Sequence, residues 1–327
     1  TKNNRGLMMR LKLVPKNTSW NFFSRSKLWI GISIILVVLS LISFFVQSLN
    51  FGIDFRGGTS IRTESSEPIN VAAYRNALSS LDLGDITISE VFDPSFEVDQ
   101  NVAMIRIQAQ PRQEAATSVL VENSLQKLKG VSEDIKFVSV ESVGPKVSGE
   151  LIRTAIIAVI LAISAVLFYI WIRFEWQFAV GAISALLHDV ILTIGIFSLL
   201  QIKFDLAIIA AILTIVGYSL NDTVVVFDRV RENLRKFKKR SLIEVMNLSI
   251  NETMSRTVMT SVTTLLALIS LFVLGGDVIR GFVFAMIWGV VVGTYSSIFI
   301  ASAILLWTGV KRDWTKPNAE AGTQVPQ

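Results

Sequence analysis

The sequence has 327 residues, 51% of them hydrophobic and only 17% charged, where soluble globular domains carry roughly 25% charged residues; a purely soluble protein is excluded. No cysteine and a single histidine leave no basis for disulfides, thiolate chemistry or a Cys- or His-rich metal centre, and no cofactor is expected. The net charge of +5 matters for where its basic residues lie relative to the membrane, and it is not a nucleic-acid signal.

Residues 1–27 hold seven basic residues and no acidic one, which by the positive-inside rule predicts a cytoplasmic segment. The apolar run at 28–46 is long enough to span a bilayer and too long for a signal-peptide core, so it reads as a retained anchor, with the first transmembrane helix placed at 28–48. Residues 49–150 then form a water-facing insert with nine basic and 15 acidic residues between positions 50 and 150, expected outside the cytoplasm.

Within the insert, 59–63 reads as a strand after the turn signal Arg56-Gly57-Gly58, and Val71, Tyr74, Leu78 and Leu81 recur at helical spacing. Residues 86–92 and 102–107 are β-rich runs on either side of Asp93-Pro94-Ser95, 114–128 is helical in composition, and 135–143 is a final strand. The order βαββαβ is that of a ferredoxin-like split unit. Such a domain more often serves as a binding or lever surface than as a catalytic centre.

Five more apolar runs follow, at 155–172, 178–200, 206–227, 258–275 and 281–308. The connection 228–257 carries eight basic and four acidic residues, and Lys311, Arg312 and Lys316 follow the last span; both are expected inside. The whole predicts an α-helical polytopic membrane protein: six transmembrane helices, one extracytoplasmic α+β ferredoxin-like domain between the first and second, a five-helix remainder over 151–310, and a cytoplasmic tail at 311–327. All seven prolines lie outside the spans, so helix weakening inside the bilayer is expected at glycine, at Gly217 or the Gly289/Gly293 pair. That pair is also a weak helix-contact signal.

Ionisable residues inside a span cost about 2.5–3.5 kcal/mol on insertion scales and are functional candidates by default. His188 and Asp189 interrupt the third span. Asn221-Asp222-Thr223 interrupts the fourth, with Tyr218 and Ser219 expected on the face of Asp222 by the i, i+3 and i, i+4 rule. The fifth opens on Arg256 and a hydroxyl row, Thr257, Thr260, Ser261 and Thr264, able to hold water in the bundle. Depth arithmetic from the cytoplasmic side brings Arg256 to the level of Asp222 if the fifth helix begins a turn or two early. The alternative for Arg256 is a snorkelling side chain, and for Asp222 a buried structural aspartate.

Four segments carry a family resemblance: Phe51-Gly-Ile-Asp-Phe-Arg-Gly-Gly-Thr59, Leu187-His-Asp-Val190, Gly217-Tyr-Ser-Leu-Asn-Asp-Thr-Val-Val-Val-Phe-Asp-Arg-Val-Arg-Glu-Asn233 and Asn251-Glu-Thr-Met-Ser-Arg-Thr257. Across nearly the whole chain the sequence resembles the SecF family of the bacterial protein-translocation machinery. The resemblance implies a multi-pass protein of the cytoplasmic (inner) membrane, within the resistance-nodulation-division superfamily, that pairs with SecD. It also implies that the pair assists a SecYEG-type channel in exporting unfolded preprotein, driven by the proton-motive force. It further implies that Asp222 and Arg256 form the proton relay, nearer mid-bilayer than the apolar runs suggest, and that Asp54, Gly57 and Gly58 are the motif after the first span; Arg56 departs from the family pattern. Protons, membrane lipid, SecD, the Sec channel and preprotein are the expected partners, with no nucleic acid. Rival readings are half of a small-molecule exporter of the same superfamily, a scaffold, and an intramembrane aspartyl protease using Asp189 and Asp222; no Gly-x-Gly-Asp flanks either aspartate.

Overall fold

The structure, a computed structural model, describes residues 18–81, 83, 86–91, 100–108 and 117–310. The basic residues between 2 and 16, the expected turn at 93–95 and the tail at 311–327 lie outside the described residues. Helix α1 (Ser26–Gln47) leads through a short helix α2 (Ile53–Arg56) into β1 (Gly58–Ser65), α3 (Val71–Ser79), β2 (Ile86–Val91), β3 (Asn101–Gln108), α4 (Thr117–Lys129) and β4 (Lys136–Val143). Five long helices follow: α5 (Pro145–Arg173), α6 (Trp176–Leu200), α7 (Leu206–Lys236), α8 (Leu242–Leu274) and α9 (Asp277–Ser296), the last continuing through a π-helical turn (Ser297–Ala301) into α10 (Ser302–Thr308).

Six of these helical stretches are long and apolar enough to cross a membrane; this is a multi-pass membrane protein with the fold class expected from sequence. The inserted sheet is antiparallel with order β2-β3-β1-β4, as a βαββαβ unit requires. Ile61, Ile105, Leu78 and Leu128 are fully buried between the sheet and its two helices.

The helices outrun the apolar runs most at three ends: α5 begins at Pro145 rather than at 155, α7 ends at Lys236 rather than at 227, and α8 begins at Leu242 rather than at 258. The connection expected over 228–257 is helical except at 237–241: α7 runs on to Lys236 and α8 begins at Leu242, where Ser241 and Glu244 make a capping box. Val230, Leu234, Val245, Met246 and Ile250 are buried between the two extensions, so this hairpin has its own apolar contacts. Helix irregularity also falls elsewhere than expected. Helix α7 is continuous through Gly217, and the distortion is the π turn after Ser296, where Ser302 Oγ donates to the Ser297 carbonyl at 3.2 Å. Such insertions are frequent at functional sites. The expected helix contact at Gly289 and Gly293 is present: a Cβ on Gly289 would come within 2.3 Å of Ile215, and one on Gly293 within 3.1 Å of Ser219, so both glycines let α9 approach α7 closely.

The membrane bundle has two apolar clusters. One, near the α+β domain, gathers Phe197, Phe204, Ile208, Ile215, Ala285 and Met286; the other gathers Phe178, Phe227, Val230, Met246, Ile250 and Ala301. On α6, α7 and α9 the stretches between these clusters also carry buried polar residues, among them Asp189, Ser219 and Ser296, and these belong to the site below.

Candidate functional site

Asp222 lies 16 residues into α7, about 24 Å from the helix start at 1.5 Å per residue, and so near the middle of the helix. Its half-buried carboxylate accepts hydrogen bonds from Thr257 Oγ1 of α8 at 2.5 Å and from Ser297 Oγ of the π turn at 2.6 Å. Hydrogen bonds to a charged group are worth about 1.5–3 kcal/mol each, enough to offset the cost of placing a carboxylate at this depth. Arg256, adjacent to Thr257, is exposed and within electrostatic range of Asp222. Among the described residues Arg256 is level with Asp222 without forming an ion pair to it: successive residues on α8 point about 100° apart, and Thr257 takes the inward position.

A second carboxylate lies in the same layer. Asp189 is fully buried, accepting from Ser219 Oγ of α7 at 2.6 Å and Ser296 Oγ of α9 at 2.8 Å, and its other oxygen lies 3.0 Å from His188 Nδ1. Ser219 and Tyr218 lie one turn before Asp222 on the continuous helix, as expected, but their hydroxyls bond to other partners. Ser219 turns to Asp189, and Tyr218 reaches Ser261 at 3.4 Å.

The remaining expected residues divide. Ser261 is buried and bonded to Thr294 at 2.7 Å, Thr260 is exposed and donates to the Arg256 carbonyl, Thr264 is half-buried, and Asn221 is exposed. The hydroxyl row is thus partly an inter-helix seam. Sequence reading missed Ser296 and Ser297, which serve one carboxylate each; Thr294-Tyr295-Ser296-Ser297, interrupting the last apolar run, was the available signal.

The motif after α1 joins the two domains. Asp54 Oδ2 accepts from the backbone N–H of Leu206 at 3.1 Å, and Ser148 Oγ of α5 donates to the Asp54 carbonyl at 2.6 Å. Gly57 and Gly58 have φ of 70° and 131°, backbone conformations that disfavour side chains, and they turn the chain from α2 into β1. Phe204 and residues 50–52 exchange backbone hydrogen bonds of 2.8 Å, and Phe51, Phe55 and Phe204 pack edge to face or tilted.

A membrane bundle with two carboxylates in one polar layer, tied at one end to an α+β domain, defines a polytopic protein built around an ionisable core. The family model for the C-terminal region of the protein export membrane proteins SecD and SecF matches residues 123–311, and the SecD/SecF GG motif model matches 42–69. The protein translocase subunit SecF of Cereibacter sphaeroides is 58% identical over 318 residues, covering 97% of this chain and 98% of that one. That of Vibrio alginolyticus is 42% identical over 297 residues, covering 90% and 92%. Among solved structures, SecDF from Thermus thermophilus, described as a translocon-associated membrane protein, aligns with a TM-score of 0.79 at 34% identity. It covers 90% of this chain, which in turn spans only 40% of the SecDF chain. The chain belongs to the SecF family of protein translocase subunits.

Proposed function

We propose that the chain is a proton-coupled accessory subunit of the Sec translocase, paired with SecD in the bacterial cytoplasmic membrane and assisting export of unfolded polypeptide through a SecYEG-type channel. Both termini and the short connection at 237–241 lie in the cytoplasm in this reading, and residues 49–150 lie outside. Asp222 is the proton-carrying group, and Arg256 is its charge partner when SecD closes over the exposed side of α8. The chain acts as a motor subunit with neither cofactor nor bond-breaking chemistry.

The observation that carries this reading is the placement of Asp222, mid-helix and clamped by hydroxyls from α8 and the π turn. Protonation removes the charge those hydroxyls stabilise, and both elements are then free to repack. A charge crossing the membrane releases about 2.3 kcal/mol per 100 mV, comparable with one charged hydrogen bond at about 1.5–3 kcal/mol. The exposed apolar faces of α1, α5 and α8, with Ile35, Leu39, Leu161, Trp171, Leu266 and Leu274, suit lipid or a partner's helices. The relay is favoured over a protease dyad because Asp189 and Asp222 are held by different hydroxyls, whereas a dyad shares one proton between its carboxyls.

Asp222→Asn tests the proposal, since the amide keeps the shape and an acceptor but cannot change charge. In vesicles holding the partner and the channel, the variant is expected to insert and assemble yet lose proton-driven stimulation of translocation. Stimulation at the wild-type level would refute the relay and leave the scaffold reading.

A further inference from the structure

His188 is the only histidine in the sequence, and its side chain is 95% buried in the middle of the bundle. Nδ1 is 3.0 Å from Asp189 Oδ1, and Nε2 is buried with no hydrogen-bond partner. Asp189 accepts from Ser219 and Ser296 at its other oxygen, hydrogen bonds that favour its ionised form, and with the carboxylate ionised the hydrogen it shares with His188 sits on Nδ1. Nε2 is then left with a free lone pair pointing into the bundle. An imidazole backed by a carboxylate at one nitrogen and open at the other is the arrangement of a proton acceptor, and purely structural packing would leave such an atom paired.

The Asp189 and Asp222 networks meet in two places. Ser296, on Asp189, and Ser297, on Asp222, are consecutive where α9 becomes the π turn. Ser219, on Asp189, lies three residues before Asp222 on α7. A change of charge at either centre therefore acts on the same two backbone segments.

We propose that His188 is a second proton-accepting site of the membrane bundle. Asp189 fixes its ring through Nδ1–H, the proton is exchanged at Nε2, and Ser219, Ser296 and Ser297 link its state to Asp222. Nε2 takes the proton from a hydronium ion carried by water admitted to the bundle, leaving neutral water; the imidazolium is balanced by the Asp189 carboxylate, and on release the proton passes back to a water molecule as hydronium. The titratable groups around the ring are Asp189 on α6, Tyr295 of α9, whose ring centroid is 6.0 Å away, and, through the serines, Asp222 on α7. Tyr218 and Arg256 lie beyond, and α1, whose Ser33 bonds Tyr295 Oη at 2.8 Å, brings only Lys27 in its first turn. This deepens the relay reading of Asp222 and depends on it for the link alone.

The lone histidine makes the test selective. The full chain is labelled with [15N]histidine, assembled with unlabelled partner in lipid bilayers, and followed by solid-state NMR. Nε2 is expected to pass from unprotonated to protonated within the range of about pH 5–8 where histidines act as switches, with the midpoint displaced in Asp222→Asn. One protonation state throughout that range would overturn the proposal, and an unmoved midpoint in Asp222→Asn would overturn the link. His188→Gln keeps an N–H for Asp189 but cannot change charge; it is expected to insert normally and lose proton-driven stimulation, and stimulation at the wild-type level would also overturn the proposal. Failure of the relay reading is separable: Asp222→Asn would then translocate normally while the His188 titration persists.

Discussion

Asp54 Oδ2 caps the Leu206 backbone N–H across 3.1 Å, so a carboxylate from the stem of the α+β domain holds the first turn of the helix that carries Asp222. Asp205 caps the same helix at Ile208, so the first turn has two carboxylate acceptors, one from each domain. Both carboxylates suit the free N–H groups and the positive end of the helix dipole. Asp54 thereby ties the start of α7 to α2 and, through Gly57 and Gly58, to β1.

Asp54→Ala is expected to cost about 1–2 kcal/mol, the usual range for a lost cap, and Asp54→Asn much less because its amide oxygen still accepts. Hydrogen exchange at residues 206–208 should accelerate in the alanine variant alone. Equal exchange in both variants would show that the cap is incidental.

Orientation gives a second prediction. Reporter fusions after Gly130 should read as outside and fusions after Lys239 as inside, because the acidic insert and the basic hairpin tip have opposite charge bias. A cytoplasmic reading at Gly130 would reverse the proposed orientation.

The six spans and every described strand of the insert were legible because each follows from local periodicity, with apolar runs of bilayer length and alternation between turn residues. Asp222 was legible because a carboxylate in an apolar helix is costly. Its clamp was not, since Ser297 is 75 residues away and a serine in an apolar run also satisfies itself on its own helix. Residues 228–257 were read as a loop from their charge, although the Arg229–Glu232 pair at i, i+3, bonded at 2.6 Å, is a helix signal. The cap on Leu206 joins residues 152 apart, a relation no local pattern encodes.

The close approach of α9 to α7 gives a third prediction. Gly289→Ala places a methyl 2.3 Å from Ile215, overpacking that typically costs about 1–3 kcal/mol, and it should displace Ser296 and Ser297 as well. Gly217→Ala meets nothing within 4 Å and gains up to about 1 kcal/mol of helix propensity. Melting of the detergent-solubilised chain should fall for the first and hold or rise for the second.

In the α+β domain, hydrogen bonds from Ser132, from the Ser66 side chain and backbone, and from Ser65 hold the Asp134 carboxyl well below the usual carboxylate range. A depressed folded-state pKa stabilises the fold above the unfolded value of about 3.9, and that stability is lost as pH falls below it toward the folded value. Local opening of the β1–α3 turn, followed by hydrogen exchange, should therefore increase on acidification below about pH 4. In Asp134→Asn it should be faster at neutral pH and flatter with acid; a profile parallel to the wild type would assign the acid response to another group.

Arg256 and Thr257 are adjacent on α8 yet are assigned different tasks, and substitution separates them. Thr257→Val keeps the shape and removes the 2.5 Å hydrogen bond to Asp222, a loss of about 1.5–3 kcal/mol for a charged acceptor, so it should lower stability in the isolated chain and impair proton-driven translocation. Arg256→Met keeps most of the stem, and the hydroxyl clamp on Asp222 involves neither its charge nor its side chain. Its effect on the isolated chain should be small, within about 0.5 kcal/mol as for surface positions, while translocation by the assembled complex is lost. In the proposed relay Arg256 and Asp222 act as one unit, so Arg256→Met combined with Asp222→Asn should be no worse than either alone. Equal destabilisation of the isolated chain by Thr257→Val and Arg256→Met would mean that Arg256 already supports Asp222 without a partner, and the division of labour on α8 would fall.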